Sequence, residues 1–261
     1  MLDSTWLQWL ADHSMFKGDG FTLTLAVIGA LCIGLSKAGL AGTATLTVVL
    51  MAKAFGAKES VGLVLPLLIA ADVMGFIINR KGGSWKPVWR MAVPAILGVL
   101  VGWPLLDVID KSVARPVIGW LIIALLGFKL VLDANKDTFV ALTEHKAFAW
   151  SMGFMAGVVT MLANAAGPVM TVYLLSQRLE KKDWLGVFSR FFLFINLFKV
   201  PFSTNLGIIN GPSLVTNFIL LPVVVLGILL GWQILKRIPQ KPFEWLLFGL
   251  TLIAAIWLVL G

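Results

Sequence analysis

A single cysteine, Cys32, excludes an internal disulfide and any cysteine-built metal site. It stands in an apolar run, where packing is its expected role. Histidine is almost as scarce. The two present, His13 and His145, lie outside the apolar stretches, and no His-Glu-x-x-His or paired-aspartate constellation occurs. An intramembrane enzyme therefore has no support, and no cofactor is implied. Charge is the third scarcity: Asp, Glu, Lys and Arg make up 13 % of the chain, against about 25 % in a soluble domain. A globular core of this size would leave too few polar residues to cover it.

What is present in excess is apolar. Hydrophobic residues reach 59 %, and mean hydropathy is +0.94. The sequence reads as an all-α integral membrane protein whose partner is the lipid bilayer. Its net charge of +8 does not read as nucleic-acid binding, because the basic residues sit in short loops between apolar runs, where topology signals lie. No cleavable signal peptide is expected, since Asp3, Asp12 and Asp19 occupy the first twenty positions. Residues 1–20 are expected to form an interfacial segment carrying Trp6, Trp9 and Phe16.

Ten apolar segments follow, at roughly 21–34, 41–54, 60–79, 88–106, 115–132, 147–162, 165–176, 184–201, 213–235 and 243–260. Segments 21–34, 41–54, 147–162 and 165–176 look short for a span. Each pair of them is divided by a small-residue break, Gly34 to Thr43 and Met161 to Pro168. The pattern also repeats at about 125 residues. AGLAGTATLTVVL (38–50) matches ANAAGPVMTVYLL (163–175), which sets Gly42 on Gly167. Gly98, Gly102 and Trp103 match Gly227, Gly231 and Trp232. Arg115-Pro116 and Lys241-Pro242 open the last segments. The expected organisation is an interfacial segment 1–20, a first repeat 21–135, a linker 136–146 on the cytoplasmic side and a second repeat 147–261.

Charge tests the topology. With each short pair treated as a hairpin, one side carries Lys17, Lys53, Lys58, Lys111 and Arg115. The other carries Arg80, Lys81, Lys86, Arg90, Lys136, Lys146, Arg178, Lys181, Lys182, Lys236, Arg237 and Lys241. With each pair treated as one crossing the separation is weaker. Cytoplasmic loops are rich in Lys and Arg, so the hairpin arrangement is expected: about eight membrane helices in two inverted repeats, each opened by a broken hairpin, with both termini outside. Inverted repeats with broken helices are an architecture of secondary transporters. The Gly-x-x-x-Gly pairs are expected to pack helices together, either within the monomer or at a homodimer face.

The breaks suggest a small anion as substrate. Helix starts near Gly42–Thr43 and Gly167–Pro168 would aim free N–H groups and the positive dipole end at the protein centre. Pro168 suits a first helical position, and Gly39 and Gly42 let a ligand approach the backbone. Ser36, Thr43, Thr45 and Asn164 add donors, and Lys37 adds charge. Close packing of small residues is the competing explanation. Arg190, Asn196 and Lys199 lie in one later segment; Asn196 and Lys199 share a face, with Arg190 about 120° away. Contact with substrate and snorkelling are both open to the two cations. Asp72, the one acidic residue inside an apolar segment, is expected to pair with Lys37, Arg190 or Lys199, or to couple transport to protons. A channel is the alternative on the same architecture.

GLSKAGLAG (34–42), GVVTMLANAAGPVMTVYLL (157–175) and Asn79-Arg80-Lys81 together resemble the TauE/SafE family of sulfite and sulfonate exporters. The resemblance runs from about residue 21 to 260, and the first break reads Gly39-Leu40-Ala41-Gly42 where a triple glycine is common in the family. It implies export of sulfite or an organosulfonate such as sulfoacetate across a bacterial inner membrane. Sulfate or thiosulfate would suit the same chemistry.

Overall fold

The computed structural model describes residues 12–16, 20–40, 43–108 and 145–260, with isolated positions between 116 and 130. Its helices are α1 (Gly20–Ala38), α2 (Thr43–Phe55), α3 (Ala57–Asn79), α4 (Trp85–Val108), α5 (Lys146–Ala163), α6 (Ala166–Ser176), α7 (Lys181–Asn205), α8 (Gly211–Lys236) and α9 (Gln240–Leu260). Among the described residues there is no strand. Among the described residues, six helices (α1, α3, α4, α5, α7 and α8) are long and apolar enough to cross a membrane. Most of the predicted segments 115–132, 1–20 and 136–146 lies outside the described residues.

Two of the four segments expected to be short are not. α1 continues through Ser36 and Lys37 to Ala38 and has 19 residues, and α5 has 18. The apolar run ends at Gly34, but the helix does not, because the polar side chains of its last turn are buried on partners. The short members are α2 and α6, with 13 and 11 residues. Left-handed backbone ends both long helices: Gly39 follows α1 at φ 131°, and Asn164 caps α5 at φ 53°. Those two positions are equivalents in the repeat. At the start of α8, Asn210 and Ser213 form a reciprocal capping box that fixes the turn after α7.

The glycine pairs pack inside the monomer. Gly98 of α4 faces Phe154 of α5, and Gly157 of α5 faces Ala95 of α4, so closely that a Cβ on either would meet the opposing carbonyl. Gly227 of α8 and Gly34 of α1 meet in the same way, against Leu31 and Val224. Each seam joins one half of the chain to the first helix of the other half. Between them run α3 and α7, whose sequences correspond: Lys58-Glu59-x-x-Gly62 matches Lys182-Asp183-x-x-Gly186, and Asp72 falls on Asn196. These last two are 124 residues apart, and they touch.

Trp184 departs from the interfacial belt expected of this residue type. Trp85, Trp89 and Trp245 are exposed at segment ends, but Trp184 is buried and stacks on Phe188 at 4.7 Å and edge-on to Phe243 at 5.4 Å.

Candidate functional site

A narrow cavity lies where the two breaks approach α3 and α7. Its walls are Ser36, Lys37, Ala44, Leu68, Thr160, Asn164, Gly167, Phe188, Phe192 and Asn196. It has room for about one water molecule. Ala44 and Gly167 are the second residues of α2 and α6, so the first turns of both short helices border the cavity. Backbone N–H groups of a first helical turn have no partner within their helix. They are the groups that bind anions at helix starts.

Two polar groupings flank this space. In the first, Lys37 Nζ and Asp72 Oδ1 form an ion pair at 2.7 Å, with side chains 5 % and 1 % exposed. Asn196 donates from Nδ2 to the other carboxylate oxygen at 2.7 Å. The ammonium of Lys37 also stands over the Phe192 ring, 4.1 Å from its centre, a favourable cation–π geometry. In the second, Lys199 donates to the Thr160 carbonyl at 2.6 Å and to Asn164 Oδ1. Asn164 Nδ2 donates in turn to the Val61 carbonyl at 3.0 Å, tying the second break to α3. Lys199 is fully buried, and its acceptors are neutral. Around the cavity, two buried lysines thus stand against one buried carboxylate. Asn196 Oδ1 is buried beside them with no hydrogen-bond partner.

The other residues singled out in the sequence are placed as follows. Ser36 lines the cavity and donates to the Ile33 carbonyl at 2.9 Å. Thr43 opens α2 with its hydroxyl on the Leu40 and Cys32 carbonyls, at 2.8 and 3.1 Å. Gly39 sits against Leu185 and Leu235, where a Cβ would displace both side chains. Pro168 is the third residue of α6, not the first; it is buried and still within the turn that needs no N–H. Gly42 and the side chain of Thr45 lie outside the described residues.

Arg190 is set apart from this group. Its guanidinium donates to the carbonyls of Gly82, Arg80 (2.8 Å) and Gly186 (2.9 Å), between the rings of Phe76 and Trp85. It does not line the cavity. Sequence reasoning passed over Thr160, Leu68, Phe188 and Phe192. The two phenylalanines precede Asn196 at helical steps of four, which puts all three on one face of α7. That periodicity was the available signal.

The family model described as Sulfite exporter TauE/SafE matches residues 25–258. No curated protein and no solved structure matches the chain.

Proposed function

The chain belongs to the TauE/SafE sulfite exporter family, and from that premise we propose that it exports a small sulfur-containing anion, sulfite or an organosulfonate such as sulfoacetate, by alternating access. The observation that supports this reading best is the cavity itself. It is bordered by two helix starts and by Lys37, with Asp72 paired to that lysine and Lys199 buried behind the Thr160 and Asn164 of its wall. Such a site carries a formal surplus of positive charge that a small anion would neutralise. Burying that charge without a counter-ion is costly.

In this reading the anion lies across the first turns of α2 and α6. Lys37 turns from Asp72 to the anion, and Asn196 Oδ1 accepts from a protonated oxyanion or a water. Lys199 and Asn164 hold the second break in register, and Gly39 and Pro168 shape the two turns. Arg190 serves by position and not by contact. The halves are inverted about the Asp72–Asn196 contact, since a residue that touches its own equivalent lies on the axis relating them. The end rich in Lys and Arg faces the cytoplasm, which places both termini outside the inner membrane. Asp72 is the candidate proton-coupling group, as the one buried carboxylate among the described residues.

Counterflow in proteoliposomes tests the function. Sulfite inside the vesicles should accelerate entry of labelled sulfite, the uptake should saturate, and Lys37→Ala should abolish it. A channel would show flux without saturation or acceleration. A scaffold would show flux indifferent to Lys37→Ala and Asn164→Ala.

A further inference from the structure

The two ends of the central helix pair are built alike but fastened differently. At one end Gly186 of α7 lies against the Gly82 carbonyl in the α3–α4 turn. At the other, Gly62 of α3 lies against the Ile208 carbonyl in the α7–α8 turn. Gly62 and Gly186 are equivalents, so these are the same contact made twice, once at each end of the bundle. A glycine against a carbonyl is a joint that closes tightly and resists nothing but separation of the two backbones.

Four residues beyond each glycine the halves diverge. α7 has Arg190, whose guanidinium reaches back over the joint to the carbonyls of Gly82 and Arg80. α3 has Pro66, which has no donor to offer. A second tie reinforces the Arg190 end, where Asp183 Oδ1 accepts from Gly83 N–H at 2.7 Å. Arg190 is buried, and the three hydrogen bonds of its terminal nitrogens all go to carbonyls instead of to a carboxylate. Hydrogen bonds from a charged group are among the stronger ones in a protein. Opening the α3–α4 turn away from α7 must break them, while Pro66 at the equivalent position of α3 can supply none.

We propose that Arg190 is a latch that makes the two gates of the transporter unequal, holding the end that carries it shut in preference to the other. The inference rests on the alternating-access reading above, in which these turns separate in alternation, and it gives Arg190 a positioning role in transport. On the orientation already argued, the latched gate is the cytoplasmic one.

The test measures the sulfite concentration for half-maximal flux from each face, in right-side-out and in inverted bacterial membrane vesicles. Releasing the latch enlarges the population open at the Arg190 end and depletes the opposite one. Arg190→Gln should therefore lower the half-saturating concentration at the cytoplasmic face and raise it at the external face, each by about fivefold or more. Arg190→Lys should shift both less. Asp183→Ala should shift both in the same directions more weakly, and it decides the matter if Arg190→Gln does not fold. A purely structural role would move the two faces together. Equal shifts at both faces, or none, in a folded variant overturn the latch and leave transport standing. Absence of saturable flux in wild-type vesicles of either kind overturns the transport reading, and the latch with it.

Discussion

Lys37→Met removes one partner of an ion pair whose side chains are 5 % and 1 % exposed. The carboxylate of Asp72 then keeps the hydrogen bond from Asn196 but loses its adjacent cation. Breaking a buried pair from one side costs about 3–5 kcal/mol, because a charge is left without compensation. The ammonium also leaves the Phe192 ring, a further loss of about 1–2 kcal/mol. The single variant should therefore be destabilised by about 4–7 kcal/mol. Adding Asp72→Asn removes the orphaned charge, and the double variant should recover about 3 kcal/mol or more. Asn196 can still donate to the amide oxygen at position 72. Unfolding of the purified protein in SDS, followed through its tryptophan fluorescence, measures all four corners of the cycle. Stability and transport should then separate: the double variant folds but does not exchange sulfite. If the two substitutions add without coupling, Lys37 and Asp72 do not depend on one another, and the account of the cavity loses its first anchor.

Three further outcomes follow from other parts of the structure. Asn164→Gly keeps the left-handed backbone but loses the ties to Val61 and Lys199. Asn164→Ala loses both, so it should be the less stable by about 1 kcal/mol in the same unfolding assay, while both fail in counterflow. Gly34→Val puts a side chain into the Val224 carbonyl across the seam and should prevent recovery of folded protein on size-exclusion chromatography. Gly249→Ala has open space around it and should be recovered as well as the parent. If Asp72 carries the coupling proton, sulfite flux in proteoliposomes should vary with pH in the parent and be flat in Asp72→Asn; the same profile in both would remove Asp72 from that role.

The membrane class was legible from composition alone, because too few polar residues exist to wrap a soluble core of this size. The two breaks were legible from Gly39, Asn164 and their small neighbours. Helix length was harder to read. Hydropathy falls at Ser36 and Lys37, yet α1 runs on, since a polar residue with a buried partner ends an apolar run without ending a helix. The glycine pairs announced close packing but not with what. Gly98 and Gly227 each present a bare face, and only the fold shows that each meets the opposite half. The partner of Asp72 had three candidates at similar sequence plausibility, and the separation of α3 from α7 along the chain hid the choice. Arg190 looked like a site residue because an intramembrane cation usually is one. Two of its three carbonyl partners lie over 100 positions away and belong to a turn, which no periodicity along α7 could reveal. Phe188 and Phe192 were visible at helical spacing but indistinct among 17 phenylalanines.

The most direct test of an anion site between the two breaks is a thermal-shift titration of the purified protein with sulfite, thiosulfate, sulfoacetate and chloride. Sulfite or a sulfonate should raise the melting temperature saturably, chloride should not, and the folded Lys37→Met/Asp72→Asn protein should have lost the response. Stabilisation by none of the four, or an undiminished response in that double variant, would contradict the account.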